Sequence, residues 1–282
     1  MSAIRQLAVL AICLWLAPGS VHADAAAKPM AKPDSVQPAK SSIHVHHFKE
    51  ERNGWKVAES KNFRIFHRHP LETVEKVAQV AEETRARMHR KWFGDEPRDA
   101  VLKCDIYLHQ DQKVYFKETG VRARGHFKFA TDNGRVIVKR IDLPSNDPEL
   151  LTTIVPHEAT HALMYDHFGQ KLPRWANEGM AMLSEPLRHR YLRYLPKDAD
   201  EVFHIPLLME MKDYPRQKDM ALYYAQSYTL VDFLVRQKGP REFTRFLSDS
   251  IKTSYTKSLK DHYGWTPEEA HARWQQFAYS KK

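Results

Sequence analysis

Cysteine is nearly missing from this 282-residue chain, which has only Cys13 and Cys104. Cys13 lies in an N-terminal stretch that reads as a removable leader, so a single thiol remains and no internal disulfide is expected. Cys104 sits in an apolar, strand-like run and reads as a small buried hydrophobe. Glycine is sparse at 10 residues, and no segment repeats, which argues against solenoid and propeller arrays. Beyond the leader, no apolar run approaches the roughly 20 residues of a membrane span. Positive charge is in excess, with 44 Lys and Arg against 35 Asp and Glu, but it is scattered. There is no RNA-binding signature, zinc finger or dense arginine-lysine block. The net charge of +9 therefore reads as a solvated surface weakly drawn to anionic envelope surfaces, with no specific nucleic-acid partner.

The leader spans residues 1–23. Arg5 gives it a positive start, Leu7 to Ala17 is apolar but short for a bilayer, and Pro18 to Ala23 breaks the run with small residues before Asp24. This pattern predicts export, to a periplasm or beyond it. Residues 24–45 are rich in Ala, Lys and Pro and hold no aromatic residue, the composition of a flexible linker. His44, His46 and His47 read as a solvated cluster, with a loose metal-binding tail as the alternative.

One domain is expected over residues 46–282, α/β with a hairpin up to 145 and helical from 146. The fold class is α+β: a small mixed or antiparallel sheet with helices, followed by an all-helical C-terminal half. Folding is expected to begin near Trp55. A strand at Asn62 to His67, a helix from Leu71 to Phe93 stopped by Gly94, and a strand at Val101 to His109 follow from periodicity. Gly125 to Thr131 and Arg135 to Ile141 flank Asp132-Asn133-Gly134, a hairpin turn signal.

The chemistry concentrates in Pro156-His157-Glu158-Ala159-Thr160-His161, which reads H-E-x-x-H. On a helix, residues four apart share a face, so His157 and His161 can address one metal ion, with Glu158 beside them as a general base. A helix opened by Asp147-Pro148-Glu149 would carry them, although Pro156 within it deletes a backbone hydrogen bond and demands a kink or a later start. A catalytic zinc takes three protein ligands and keeps a fourth position open. Two candidates compete for the third ligand. His167 has the metzincin spacing, but Met164 stands where that signature needs glycine, and a helix continuing through it turns His167 about 120° from His161. Glu178 is favoured: it follows across the Gly169 to Pro173 turn, on a second helix expected from Arg174 to Leu187.

H-E-A-T-H followed by Leu172-Pro173-Arg174-Trp175-Ala176-Asn177-Glu178-Gly179-Met180-Ala181 resembles the gluzincin metallopeptidases, in particular the secreted peptidase-MA-like group. The resemblance covers roughly Asn62 to Phe277. It implies a zincin-like, distantly thermolysin-like core, with Glu178 as third zinc ligand and an edge strand of the sheet lining the cleft. Asn177-Glu178 resembles the N-E pair of the wider group, whereas Met182 stands where an acid is often found. Glu185 reads as an exposed helix-end carboxylate, an orienting role behind the ligands being the alternative. Tyr223-Tyr224-Ala225-Gln226-Ser227 resembles a helix on which a tyrosine can donate to an oxyanion. Tyr224 is the candidate, weighed against a core aromatic, with Tyr228 and His204 behind it.

The expectation is an exported zinc-dependent peptidase acting on peptides or proteins, with Zn2+ on His157, His161 and Glu178. Glu158 is its base and Tyr224 a possible oxyanion donor. Its rivals are a non-catalytic exported scaffold, a metzincin-type site using His167, and a protein whose basic surface is primary.

Overall fold

The computed structural model describes residues 43–94 and 96–280, and the backbone of residues 7 and 8. Most of the expected leader and linker lies outside the described residues. Within them, Leu7–Ala8 (β1) pairs with Ala130 and Phe129 at one end of the sheet. At the other end His46–His47 (β2) pairs with Lys56–Glu59 (β3), which pairs with Phe63–His67 (β4). Folding thus starts nine residues ahead of Trp55, and two of the three clustered histidines are strand residues. His47 Nε2 lies 3.3 Å from Glu75.

The helix Leu71–Phe93 (α1) buries Val74, Val77, Ala78 and Ala81, the i, i+3, i+4 stripe of an amphipathic helix. Gly94 ends it at φ 77°, a left-handed cap that a side chain would oppose. α1 joins β4 to the parallel strand Cys104–His109 (β5), in which Cys104 is buried. The short helix Gln112–Thr119 (α2) then leads to a hairpin of His126–Asp132 (β6) and Arg135–Pro144 (β7). β7 lies parallel to β5, so the sheet is mixed, in the order β1-β6-β7-β5-β4-β3-β2.

The chain next enters Val155–Phe168 (α3), preceded by a π-helical turn over Leu150–Ile154. The widened turn accounts for Pro156. A straight α-helix would drive its ring into the carbonyl four residues back, whereas here the proline falls in the first turn of α3, just after the π turn. Asp147 accepts the Glu149 amide at 2.8 Å and holds Arg124 with two oxygens, anchoring the approach. Arg174–Met182 (α4), Ile205–Glu210 (α5), Met220–Lys238 (α6), Pro240–Lys252 (α7), Tyr255–Tyr263 (α8) and Pro267–Tyr279 (α9) complete the helical half. α4 stops five residues earlier than expected, because Ser184 and Glu185 close tight turns onto Ala181 and Met182, and Pro186 follows.

Two apolar cores meet along α3. Ala159 and Ala162 pack with the sheet residues Ile65, Ile106, Phe127 and Phe129, while Leu163 and Met164 pack with Trp175, Tyr223 and Phe243 of the helical half. The H-E-x-x-H helix is therefore held from both sides. Gly179 brings α4 against α6: a Cβ there would lie 2.3 Å from the Ser227 carbonyl oxygen.

Candidate metal centre

One turn apart on α3, the His157 and His161 rings lie 4.7 Å apart between centroids. α4 brings Glu178 to them, its Oε2 being 3.6 Å from His157 Nε2 and 3.8 Å from His161 Nε2. The three ligand atoms lie within 4.8 Å of one another, and all three residues are buried.

Each of these groups is gripped from behind. His157 Nδ1 lies 2.8 Å from Glu185 Oε1, and His161 Nδ1 lies 2.9 Å from Asn177 Oδ1. Because a carboxylate accepts only, His157 donates from Nδ1 and turns a lone pair at Nε2 toward the centre; the Asn177 carbonyl fixes His161 in the same sense. Tyr214 donates to Glu178 Oε1 at 2.5 Å, which leaves Oε2 facing the imidazoles. Glu185 is itself held by the Tyr191 hydroxyl, 3.0 Å from Oε2, and by Arg190 at 3.4 Å. It is fully buried beyond the end of α4, not an exposed helix-end acid.

The inward atoms His157 Nε2, His161 Nε2 and Glu178 Oε2 have no hydrogen-bond partner. Three orphaned acceptors converging in a buried site are costly unless a cation joins them. A tetrahedral zinc with bonds of about 2.0–2.1 Å would separate its ligand atoms by roughly 3.3 Å, close to the spacings found. Two imidazoles and one carboxylate, each oriented from behind, suit such an ion. Without a cation the charges compensate among themselves. Burial opposes a charged His157, but Glu178 and Glu185 outweigh it and raise the imidazole's pKa. Burial and the neighbouring His157 push His161 down to about 4.

Glu158 is also buried. Burial pushes its carboxyl up to about 8, against the pull of His157, and the Phe127 amide of β6 hydrogen-bonds it. Its Oε2 has no partner. Phe127 and Phe129 of β6 line a small hollow beside His161, with Tyr165, Leu172 and Asn177.

His167 does not join the cluster. α3 continues to Phe168, so six residues carry His167 round to stack on Phe93 at 3.8 Å, and Gly169 ends the helix. The metzincin arrangement is therefore corrected. Tyr224 is packed in the helical core, its ring 6.0 Å from that of Tyr223. Tyr228 meets His189 at 3.2 Å, and the His204 ring lies 4.1 Å from that of His271. The tyrosines bordering Glu178 are Tyr214 and Tyr223. The Tyr223 hydroxyl is buried without a hydrogen-bond partner, and burial and then the Glu178 charge push it up. No motif marks Tyr214. Tyr223 differs from Tyr224 by one step of helical phase, which was the available signal.

A family model described as the Peptidase MA superfamily matches residues 131–280, from the hairpin turn through α9. The chain belongs to the peptidase MA superfamily. Membership gives it a peptidase-like hydrolase core, and the matched span contains the two helices that carry His157, His161 and Glu178 and the tyrosines beside them. A search of curated proteins finds no match.

Proposed function

We propose that this protein is an exported zinc-dependent peptidase. The observation that carries the reading is the convergence of three buried, unpartnered ligand atoms from His157, His161 and Glu178. A bound zinc ion supplies Lewis acidity toward a water and a carbonyl oxygen. His157, His161 and Glu178 would hold the ion for that chemistry.

The remaining steps belong to side chains. A cation on the neighbouring ligands would offset the burial that raises the Glu158 carboxyl and favour the carboxylate, whose unpartnered Oε2, steadied by the Phe127 amide, takes a proton from the attacking water and delivers it to the leaving amine. Tyr214 keeps Glu178 aimed inward. The hydroxyl of Tyr223 is the better-sited donor to a developing oxyanion, with Tyr224 one helical step away. β6, whose outer edge at Phe129 and Ala130 is paired with Leu7–Ala8 of the leader, supplies an extended backbone beside the centre for a peptide to follow once the leader is removed. Export follows from the N-terminal leader pattern, and the surplus of basic residues favours residence near anionic envelope surfaces.

The test is Glu158→Gln. The variant is expected to keep metal at wild-type stoichiometry and to lose peptide hydrolysis by about 10²–10⁴-fold, the usual worth of a general base. Unchanged turnover would overturn the reading.

A further inference from the structure

A cavity of about 560 Å³ lies away from the metal ligands, between α1, the C-terminal turn of α3, residues 98–102 and β7. The sheet opens at this place. β5 pairs with β7 only from Arg140 to Pro144, so residues 135–139 are bonded to β6 alone and their second edge has no strand partner among the described residues. Val136, Ile137 and Val138 are exposed in succession along this edge, and Val101 across the cavity is fully exposed. An open strand edge with apolar side chains is a template for another extended chain.

The charge of the lining selects among such chains. Arg85, Arg98, Arg135 and Lys139 stand against Asp99 and Asp166. Asp99 is taken by Lys61 at 2.8 Å, and Asp166 is shared by Arg85 and Lys139. Arg98 and Arg135 have no ion pair among the described residues. Arg85 is 5% exposed, and its Nε–H has no acceptor. A buried, unpartnered guanidinium donor beside two free arginines calls for carboxylates.

We propose that this groove docks an extended acidic segment of a peptide substrate, away from the bond that is cut. Calling the segment a substrate rests on the peptidase reading; its binding does not. The open strand edge favours a peptide over a lipid or a small anion, neither of which brings a backbone to pair. The chain's own residues 24–42 carry Lys28, Lys32 and Lys40 against Asp24 and Asp34, the wrong sign for this lining. Tyr165 borders both this cavity and the hollow beside His161, its ring stacked on Phe129 at 4.2 Å. A segment docked here is thus one side chain away from the metal centre.

The test uses the full chain carrying Glu158→Gln, so that probes are not cut, and fluorescence anisotropy of three labelled octapeptides. One alternates Glu and Val, the second is the same peptide N-methylated at alternate amides, and the third alternates Lys and Val. The acidic probe is expected to bind at least tenfold more tightly than the other two, to lose at least tenfold on Arg98→Glu with Arg135→Glu, and to resist displacement by decanoate. Equal binding of the N-methylated probe, displacement by decanoate, or indifference to the charge reversal overturns the proposal. Preference for the Lys-Val probe also overturns it and points to the chain's own lysine-rich segment. The readout is binding to an inactivated chain. Failure here therefore leaves hydrolysis by the wild type standing, and a chain that hydrolyses nothing can still bind the probe.

Discussion

Two buried clusters of histidine and carboxylate occur in this protein, and they differ in what their inner atoms meet. On the sheet, Asp142 receives His109 Nε2 at 2.8 Å, Arg140 through two nitrogens and Lys128 at 3.0 Å. Burial opposes its ionisation, but His109 and Arg140 outweigh it and hold the carboxyl well below its ordinary range. Neighbouring His126 is bonded to the Tyr115 hydroxyl at 2.7 Å and keeps its unpaired Nε2 3.6 Å from Asp142, while His109 Nδ1 turns the other way, 3.0 Å from Glu118. Between α3 and α4 the residue types are the same, but orphaned atoms from three residues face one point. Residue type alone does not mark a site; convergent unsatisfied atoms do. The sheet cluster supplies its own cations, whereas the helical one leaves three inner atoms that could hold a cation.

That contrast can be broken most forcefully at Asp142. Asp142→Asn strands Arg140, Lys128 and His109 around a neutral group and is expected to cost about 3–5 kcal/mol of stability, read by denaturant unfolding, without altering metal stoichiometry. A change in metal content would blur the distinction between the clusters. At the other cluster, Glu185→Gln retains shape but weakens the grip on His157. Metal affinity should fall about 10–100-fold, measured by competition with a chelator, with little loss of stability.

The last effect is in pH. Burial pushes His126 down to about 4 despite Asp142, with Lys128, Arg140 and His109 acting in the same direction as burial. In the unfolded chain the ring titrates near 6.5, so between pH 6.5 and about 4 the unfolded state binds the proton and the folded state does not. Stability from this group is present above pH 6.5 and is lost as pH falls through that window. The slope is at most one proton, about 1.4 kcal/mol per pH unit. His126→Gln should flatten the pH dependence there relative to wild type; parallel curves would contradict it.

Much of the fold was legible because local signals agreed. The apolar stripe of α1 with its Gly94 stop and the Asp132-Asn133-Gly134 turn of the hairpin both predict what the structure contains. α2 went unread although Asp111 and Gly120 bracket it, since the intervening face is mostly polar. In the centre, the i, i+4 spacing brought His157 and His161 together, but Tyr214 reaches Glu178 from a segment 36 residues on, a distance no local pattern encodes. Glu185 was misread because it lies past the end of α4, where burial depends on Tyr191 and Arg190 arriving from the next segment. The open edge of β7 is likewise a property of the sheet register.

The most direct measurement is metal analysis of the purified wild type beside Glu178→Ala. The wild type is expected to carry about one zinc per chain and the variant to lose it, because two imidazoles alone do not complete the donor set. Full retention of zinc by Glu178→Ala, or a wild type that binds none at any zinc concentration, would contradict the claim that these three side chains are a metal centre.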